Sequence, residues 1–225
     1  MIEDLRIMSS NRTNKERNEK ITRNTYKPPY LSHTLPEQSF RDAWWLLDVE
    51  TSSVSPERGE IIALRLALME NYEASQEQTI FVRPCQNLSL GIQRLTGITN
   101  EDLYRALPHH VAVHRLKALT RQAPLIFWNG GFCLPFLCKL FQTGYSEFDV
   151  PHLLLDGLGE QLLGDNLDKS PRRTLDGIDI TCNSSLQNHY LAELHTLSAL
   201  LFQRLEEQGL YTTTDLLTLS KEEMD

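Results

Sequence analysis

The sequence predicts an α/β domain, a mixed β-sheet flanked by helices, and three observations carry that reading. Between residues 44 and 83 three short strand-like runs follow one another with brief breaks. After Pro84 the apolar spacing lengthens from about two residues to between three and four. A further apolar run at 125–128 leads directly into a helical stretch. Strands in series, then helices, then a strand feeding a helix, is the order of an α/β layout with a mixed sheet.

Taken in order, the run 44–49, Trp-Trp-Leu-Leu-Asp-Val, is nearly all apolar, as in a strand covered on both faces. Residues 61–69 alternate loosely and give a second strand; 79–83 give a third, ended by Pro84. Residues 90–95 suit a short helix closed by Gly97, and Asn100 is a fitting cap for a helix over 101–106. The spacing of Val113, Leu116 and Leu119 predicts an amphipathic helix over 111–122. Residues 125–128 are a buried strand, and 132–143 a helix stopped by Gly144. Residues 149–164 read as helical, and 165–185, polar with Pro171 and Gly177, as a loop. Leu191, Leu194, Leu197, Leu200, Leu201 and Leu205 make 187–208 the strongest helix, ended by Gly209, with a helical turn or two to follow over 212–225.

The chain divides into a polar, basic leader (1–40), a domain (41–210) and a short tail (211–225). Residues 1–27 hold seven Lys and Arg against four Asp and Glu, a charge of +3, while the remainder carries −11. The leader reads as solvated and disordered; the alternative is a contact with nucleic acid or an acidic protein. A net charge of −8 argues against sequence-blind binding of long nucleic acid through a basic face. It leaves room for a site that grips phosphodiesters through metal ions. No apolar run approaches a membrane span, and the N-terminus has no apolar signal core. The four cysteines form no CxxC pair, so free thiols in the reducing cytoplasm are the simplest reading.

Asp48-Val49-Glu50 is the sharpest chemical signal. Residues two apart on a strand share a face, so both carboxylates converge at the end of the first strand. Paired carboxylates suit Mg²⁺ or Mn²⁺. The plain alternative is a strand end turning into solvent. His110 and His114 have a helical ligand spacing but read as solvated or core histidines. Cys133 and Cys138 read as buried apolar residues.

Asp48-Val49-Glu50-Thr51-Ser52, with Pro56-Glu57-Arg58 and Ile61-Ile62 behind it, resembles the first motif of the DnaQ-like (DEDD) 3′–5′ exonucleases. Phe81-Val82-Arg83-Pro84 and Leu95-Thr96-Gly97-Ile98-Thr99-Asn100 are similar to that family's segment after the third strand. Trp128-Asn129-Gly130-Gly131-Phe132-Cys133 resembles its second motif, and the helix from Asn188 stands where the third belongs. The resemblance spans about 44–208. It implies a ribonuclease-H-like fold and a 3′–5′ exonuclease in which four carboxylates hold two Mg²⁺ or Mn²⁺ ions and a histidine is the general base. The ligand would be a nucleic-acid 3′ end or a nucleotide, with Thr51, Asn129 and Phe132 on the substrate.

Matched position by position, the chain departs from that pattern. Asp48 and Glu50 match. Glu193 stands for the last aspartate, one methylene longer. Cys133 replaces the second-motif aspartate, and Asn188 replaces the histidine. A neutral thiol is a poor ligand for a hard cation, and asparagine takes no proton at neutral pH. Trp128 replaces a histidine beside Asn129 and reads as core filling rather than a stacking platform. Asp156 falls where the family often has a non-ligand aspartate. The expectation is an exonuclease working through Asp48, Glu50 and Glu193 with activity reduced or lost. The alternative is a non-catalytic module that binds 3′ ends, or a protein partner through the leader or the tail.

Overall fold

The computed structural model describes residues 30–217. The strands are β1 (Trp44–Thr51), β2 (Ile61–Glu70), β3 (Glu73–Phe81), β4 (Leu125–Phe127) and β5 (His152–Leu154). They form one sheet in the order β3-β2-β1-β4-β5. β1 runs antiparallel to β2, and β2 to β3, whereas β1 with β4 and β4 with β5 are parallel. The helices are α1 (Leu90–Thr96), α2 (Asn100–Tyr104), α3 (His109–Thr120), α4 (Gly130–Phe141), α5 (Leu155–Leu163), α6 (Pro171–Gly177) and α7 (His189–Glu207).

The alternation of β1 decides which layer each residue serves. Trp44 and Leu46 join one core with Leu155 and Leu158 of α5 and Leu191, Leu194, Leu197 and Leu201 of α7. Trp45, Leu47 and Val49 join the opposite core with Leu116 of α3 and Phe136 and Leu137 of α4. Each fully buried leucine of α7 contributes about 1.5–3 kcal/mol relative to an exposed one. That stripe pins the helix to the sheet and fixes where its N-terminus ends. Asp48 and Glu50 continue the Trp44–Leu46 face, so they point to the α7 side.

Four expectations are corrected. β3 starts at Glu73 rather than 79, because its first half, Glu-Ala-Ser-Gln-Glu-Gln, carries no apolar alternation. It is an edge strand, where polar residues discourage pairing with other chains, and Gln76 (φ 42°) is the extra residue at a register shift opposite Ala67/Leu68. The predicted helix over 149–164 contains β5, three residues too short to show a period, and the helix itself begins only at Leu155. The predicted loop over 165–185 contains α6, which Ser170 caps by accepting the Arg173 N–H at 3.3 Å and Pro171 opens. Thr99, not Asn100, caps α2, in a capping box with Asp102; Asn100 instead accepts the Leu88 N–H at 2.7 Å.

The leader was expected to run to residue 40, yet its end belongs to the folded body. Tyr30, Leu31 and Phe40 are buried. Leu31 bridges Leu153 in antiparallel fashion, with Ser32 N–H donating to His152 O (3.0 Å) and Leu154 N–H to Tyr30 O (2.8 Å), so this segment covers the outer edge of β5. Phe40 stacks on Phe202 at 4.7 Å. The apolar residues responsible are few and scattered among polar ones, which hid them from a compositional reading. Residues 1–29 of the expected leader lie outside the described residues. So does 218–225 of the expected tail, whose described part bridges Ser39 through Thr212 and buries Leu216.

Candidate active site

β1 delivers two carboxylates to one place. Asp48 lies opposite Arg65 of β2, Glu50 lies opposite Ala63, and the register shifts between Glu50 and Thr51. A shift at that point ends regular pairing and re-aims the strand tip. The two acids line a cleft of about 720 Å³ together with Arg65, Glu77, Thr96, Asn188, His189 and Tyr190. The floor is the β1–β2 ladder, and the first turn of α7 forms one wall.

Burial governs the electrostatics. Asp48 is pushed up to about 7, chiefly by loss of water and next by the charge of Glu50, with Arg65 opposing. Glu50 is also raised by burial, against the pull of Arg65. Arg65 Nε lies 3.4 Å from Glu50 Oε1, each side chain about one-quarter exposed. At that exposure an ion pair contributes about 1 kcal/mol or less to stability. Its effect is to place a fixed positive charge beside two carboxylates.

The second-motif turn reaches the same place. Cys133, on α4, is buried, and its thiol donates to Trp128 O at 3.3 Å. Burial pushes this thiol up, and the nearby charges of Asp48 and Asp156 push it further, so it stays protonated. Asp156, in the first turn of α5, accepts the Gly130 N–H at 3.0 Å through Oδ2, while its buried Oδ1 has no hydrogen-bond partner. Asn129 adopts the left-handed conformation (φ 57°, ψ 57°) that starts α4, with its side chain exposed. Phe132 packs on Phe136 at 5.1 Å. Thr51 is buried and donates to Ser53 O at 2.7 Å. Trp128 is buried, its indole N–H donating to Lys169 O at 3.3 Å. His110 and His114 are exposed on α3.

The third-motif residues divide. Asn188 lines the cleft, but its side chain caps α7, accepting the Leu191 N–H at 2.9 Å, while its own N–H donates to Glu77 Oε1 at 3.1 Å. Glu193 does not line that cleft. Burial raises it, and the charges acting on it come from Arg172, His189 and Asp176, toward α6.

Two residues at the site escaped the sequence reading. Arg65 had a signal, since it is the one charge within the apolar run 61–69. Tyr190 had none. Its hydroxyl is raised first by burial and then by Asp48, Cys133, Asp156 and Glu193, so it stands neutral among all four.

A pair of hard divalent ions fits this donor set poorly. Glu50 is paired with a guanidinium, Cys133 beside Asp48 carries a protonated thiol, and Glu193 does not line the cleft and faces other charges. Among the described residues no group of three or more His, Cys, Asp or Glu side chains is gathered closely enough to hold a metal ion. Among them also, no helix is long and apolar enough to cross a membrane.

This mixed five-stranded sheet with helices on both faces is the ribonuclease-H-like fold of the DnaQ-like 3′–5′ exonucleases, and the chain is distantly related to that DEDD group. No protein-family model matches it. It is 26% identical over 102 residues, 45% of its length, to the PolC-type DNA polymerase III of Mycoplasmopsis pulmonis. It is 26% identical over 103 residues, again 45% of its length, to the 3′–5′ exonuclease DinG of Bacillus subtilis. The matched parts are only 7% and 11% of those proteins. Among solved structures it is similar to Escherichia coli exonuclease I in complex with a dT13 oligonucleotide (TM-score 0.56, 12% identity, covering 74% of this chain and 42% of the other). The metal-free form of the E. coli exonuclease I–single-stranded DNA complex superposes equally well (TM-score 0.55, 13% identity, 74% and 42%).

Proposed function

We propose that this chain binds the 3′ end of a single-stranded nucleic acid in the exonuclease cleft without hydrolysing it. One observation carries the reading: the side chain at the general-base position, Asn188, is an acceptor committed to the helix cap, inside a cleft that also holds the two β1 carboxylates. A missing base commonly costs about 10²–10⁴-fold in rate. The protonated thiol of Cys133 removes a charge from the ligand set as well. That exonuclease I has been captured with single-stranded DNA in a metal-free form supports a grip separable from chemistry on this scaffold. Thr51, Asn129 and Phe132 are the substrate contacts of this reading. The four free cysteines fit the reducing cytoplasm.

A second reading keeps weak hydrolysis through Asp48, Glu50 and Glu193 with Mg²⁺ or Mn²⁺. The presence of both Asp48 and Glu50 in the cleft favours it, since a scaffold alone has no need of the pair.

The test is a labelled DNA or RNA single strand incubated with the full chain and Mn²⁺, with Asp48→Ala as control. The proposal expects 3′-end binding, competed by free 3′ hydroxyl ends and not by 3′-blocked ones, without turnover. Turnover that disappears in Asp48→Ala establishes the second reading. Absence of binding to either nucleic acid refutes the first.

A further inference from the structure

The disagreement between the cleft and a two-metal site has a specific structural origin. Asp48 and Arg65 are direct cross-strand partners, so their side chains leave the same face of the sheet a few ångströms apart. Arg65 leans along β1 to Glu50, with Nε 3.4 Å from Oε1, and its Nη2 reaches the Thr96 carbonyl at 3.5 Å. Its Nε is buried without a hydrogen-bond partner, so what holds this end of the guanidinium is charge. Both Arg65 and Glu50 line the cleft, which places the pair at its floor rather than on an outer surface. Tyr190 also lines the cleft, and its hydroxyl feels the charges of Asp48, Cys133 and Asp156.

We infer that Arg65 is the resident cation of the Asp48–Glu50 pair, standing where a divalent ion would bind, so that the cleft takes a nucleic-acid end without metal. This deepens the 3′-end-binding reading and rests on it for the identity of the ligand. The physical reason is competition between like charges. A divalent ion bridging Asp48 and Glu50 would lie within contact range of a guanidinium held by the strand ladder and the Thr96 carbonyl. The two cations repel strongly in a half-buried site. Arginine does not escape by losing its proton. The carboxylates keep a role all the same, because they hold the guanidinium in place at the floor of the cleft, where an incoming phosphate meets a positive charge that needs no cofactor.

Uptake of Mn²⁺, read as loss of the free-ion EPR signal, tests the assignment without reference to activity. The wild-type chain is expected to leave the signal unchanged up to about 1 mM Mn²⁺. Arg65→Ala and Arg65→Gln are expected to gain affinity by at least about tenfold, and adding Asp48→Asn to either should abolish the gain. Arg65→Lys retains a cation and should stay as silent as wild type. In parallel, the wild-type chain should bind a labelled single strand equally in EDTA and in Mn²⁺. Asp48-dependent Mn²⁺ uptake by the wild type, binding lost in EDTA, or folded neutral variants that gain nothing would each overturn the assignment. Should no strand bind under any condition, the 3′-end reading falls while the Mn²⁺ result stands by itself.

Discussion

The Cys133 thiol donates to the Trp128 carbonyl at 3.3 Å, one turn back across the start of α4. The bond uses the proton that a metal-binding residue would have to shed, and it points the sulfur at the backbone. Asp48 and Asp156 then oppose a negative charge at this position. Installing the family's carboxylate here is therefore expected to destabilise the protein. Cys133→Asp should cost about 1–3 kcal/mol at pH 7 in EDTA, more than Cys133→Ser, since it buries an unpaired negative charge close to the carboxyls of Asp48 and Asp156. Urea denaturation of the three proteins measures it. Equal stability of the Asp and Ser variants would show that the environment is less hostile to charge than the burial of Cys133 indicates.

Much of the scaffold was legible because its elements carry apolar periods of their own. β1, β2, β4 and α7 are each buried along a face or on both, and Leu191 to Leu205 announces its helix without help. What was hidden lacks such a pattern: the polar half of β3 at the sheet edge, three-residue β5, and α6 with only Pro171, Thr174 and Leu175 buried. At the site, the alternation of β1 paired Asp48 with Glu50, and the family resemblance set Cys133 and Asn188 beside them. It did not reveal that Asn188 spends its side chain on a cap, or that Tyr190 and Arg65 share the cleft. Those facts depend on which neighbour each side chain meets, and one-dimensional spacing does not encode that.

The capping role of Asn188 sets an opposition between stability and chemistry. Its Oδ1 accepts the Leu191 N–H at 2.9 Å. Asn188→Ala should lose about 0.5–2 kcal/mol, and Asn188→Asp should hold most of the cap. Asn188→His, which installs the histidine that the family resemblance expects here, should behave like Ala in stability, because an imidazole is a poor substitute for the short cap side chain. Thermal melts of the four proteins decide this. A histidine variant as stable as wild type would show that the cap and the base are compatible here.

Tyr30 lies so close to α5 that a Cβ built on Gly157 would stand 2.5 Å from Tyr30 Cβ. Gly157→Ala is expected to push the 30–32 segment off the β5 edge or strain α5, at a cost of about 1–3 kcal/mol. Tyr30→Gly, which removes the Cβ that alanine would keep, should cost stability on its own account but should relieve the clash, so the double variant should be more stable than the two single effects added together. Strict additivity in a denaturant series would place this segment elsewhere than against α5.

His195, on the buried face of α7, has Nε2 3.0 Å from the Tyr72 carbonyl, which fixes the proton on that nitrogen, and a buried Nδ1 with no hydrogen-bond partner. Protonating Nδ1 would place a proton on a buried nitrogen that has no acceptor, so burial holds this histidine below its ordinary value, outweighing the bond to Tyr72 and the charge of Glu73. The unfolded chain then binds a proton more readily than the folded one. The stability this confers is complete above the ordinary histidine range and is lost as pH falls through the lowered folded value. Unfolding free energy should accordingly decline below about pH 6.5. His195→Gln, which can still donate to Tyr72, should flatten the histidine part of that decline. An unchanged pH profile in His195→Gln would mean that the carboxylates alone govern acid stability in this fold.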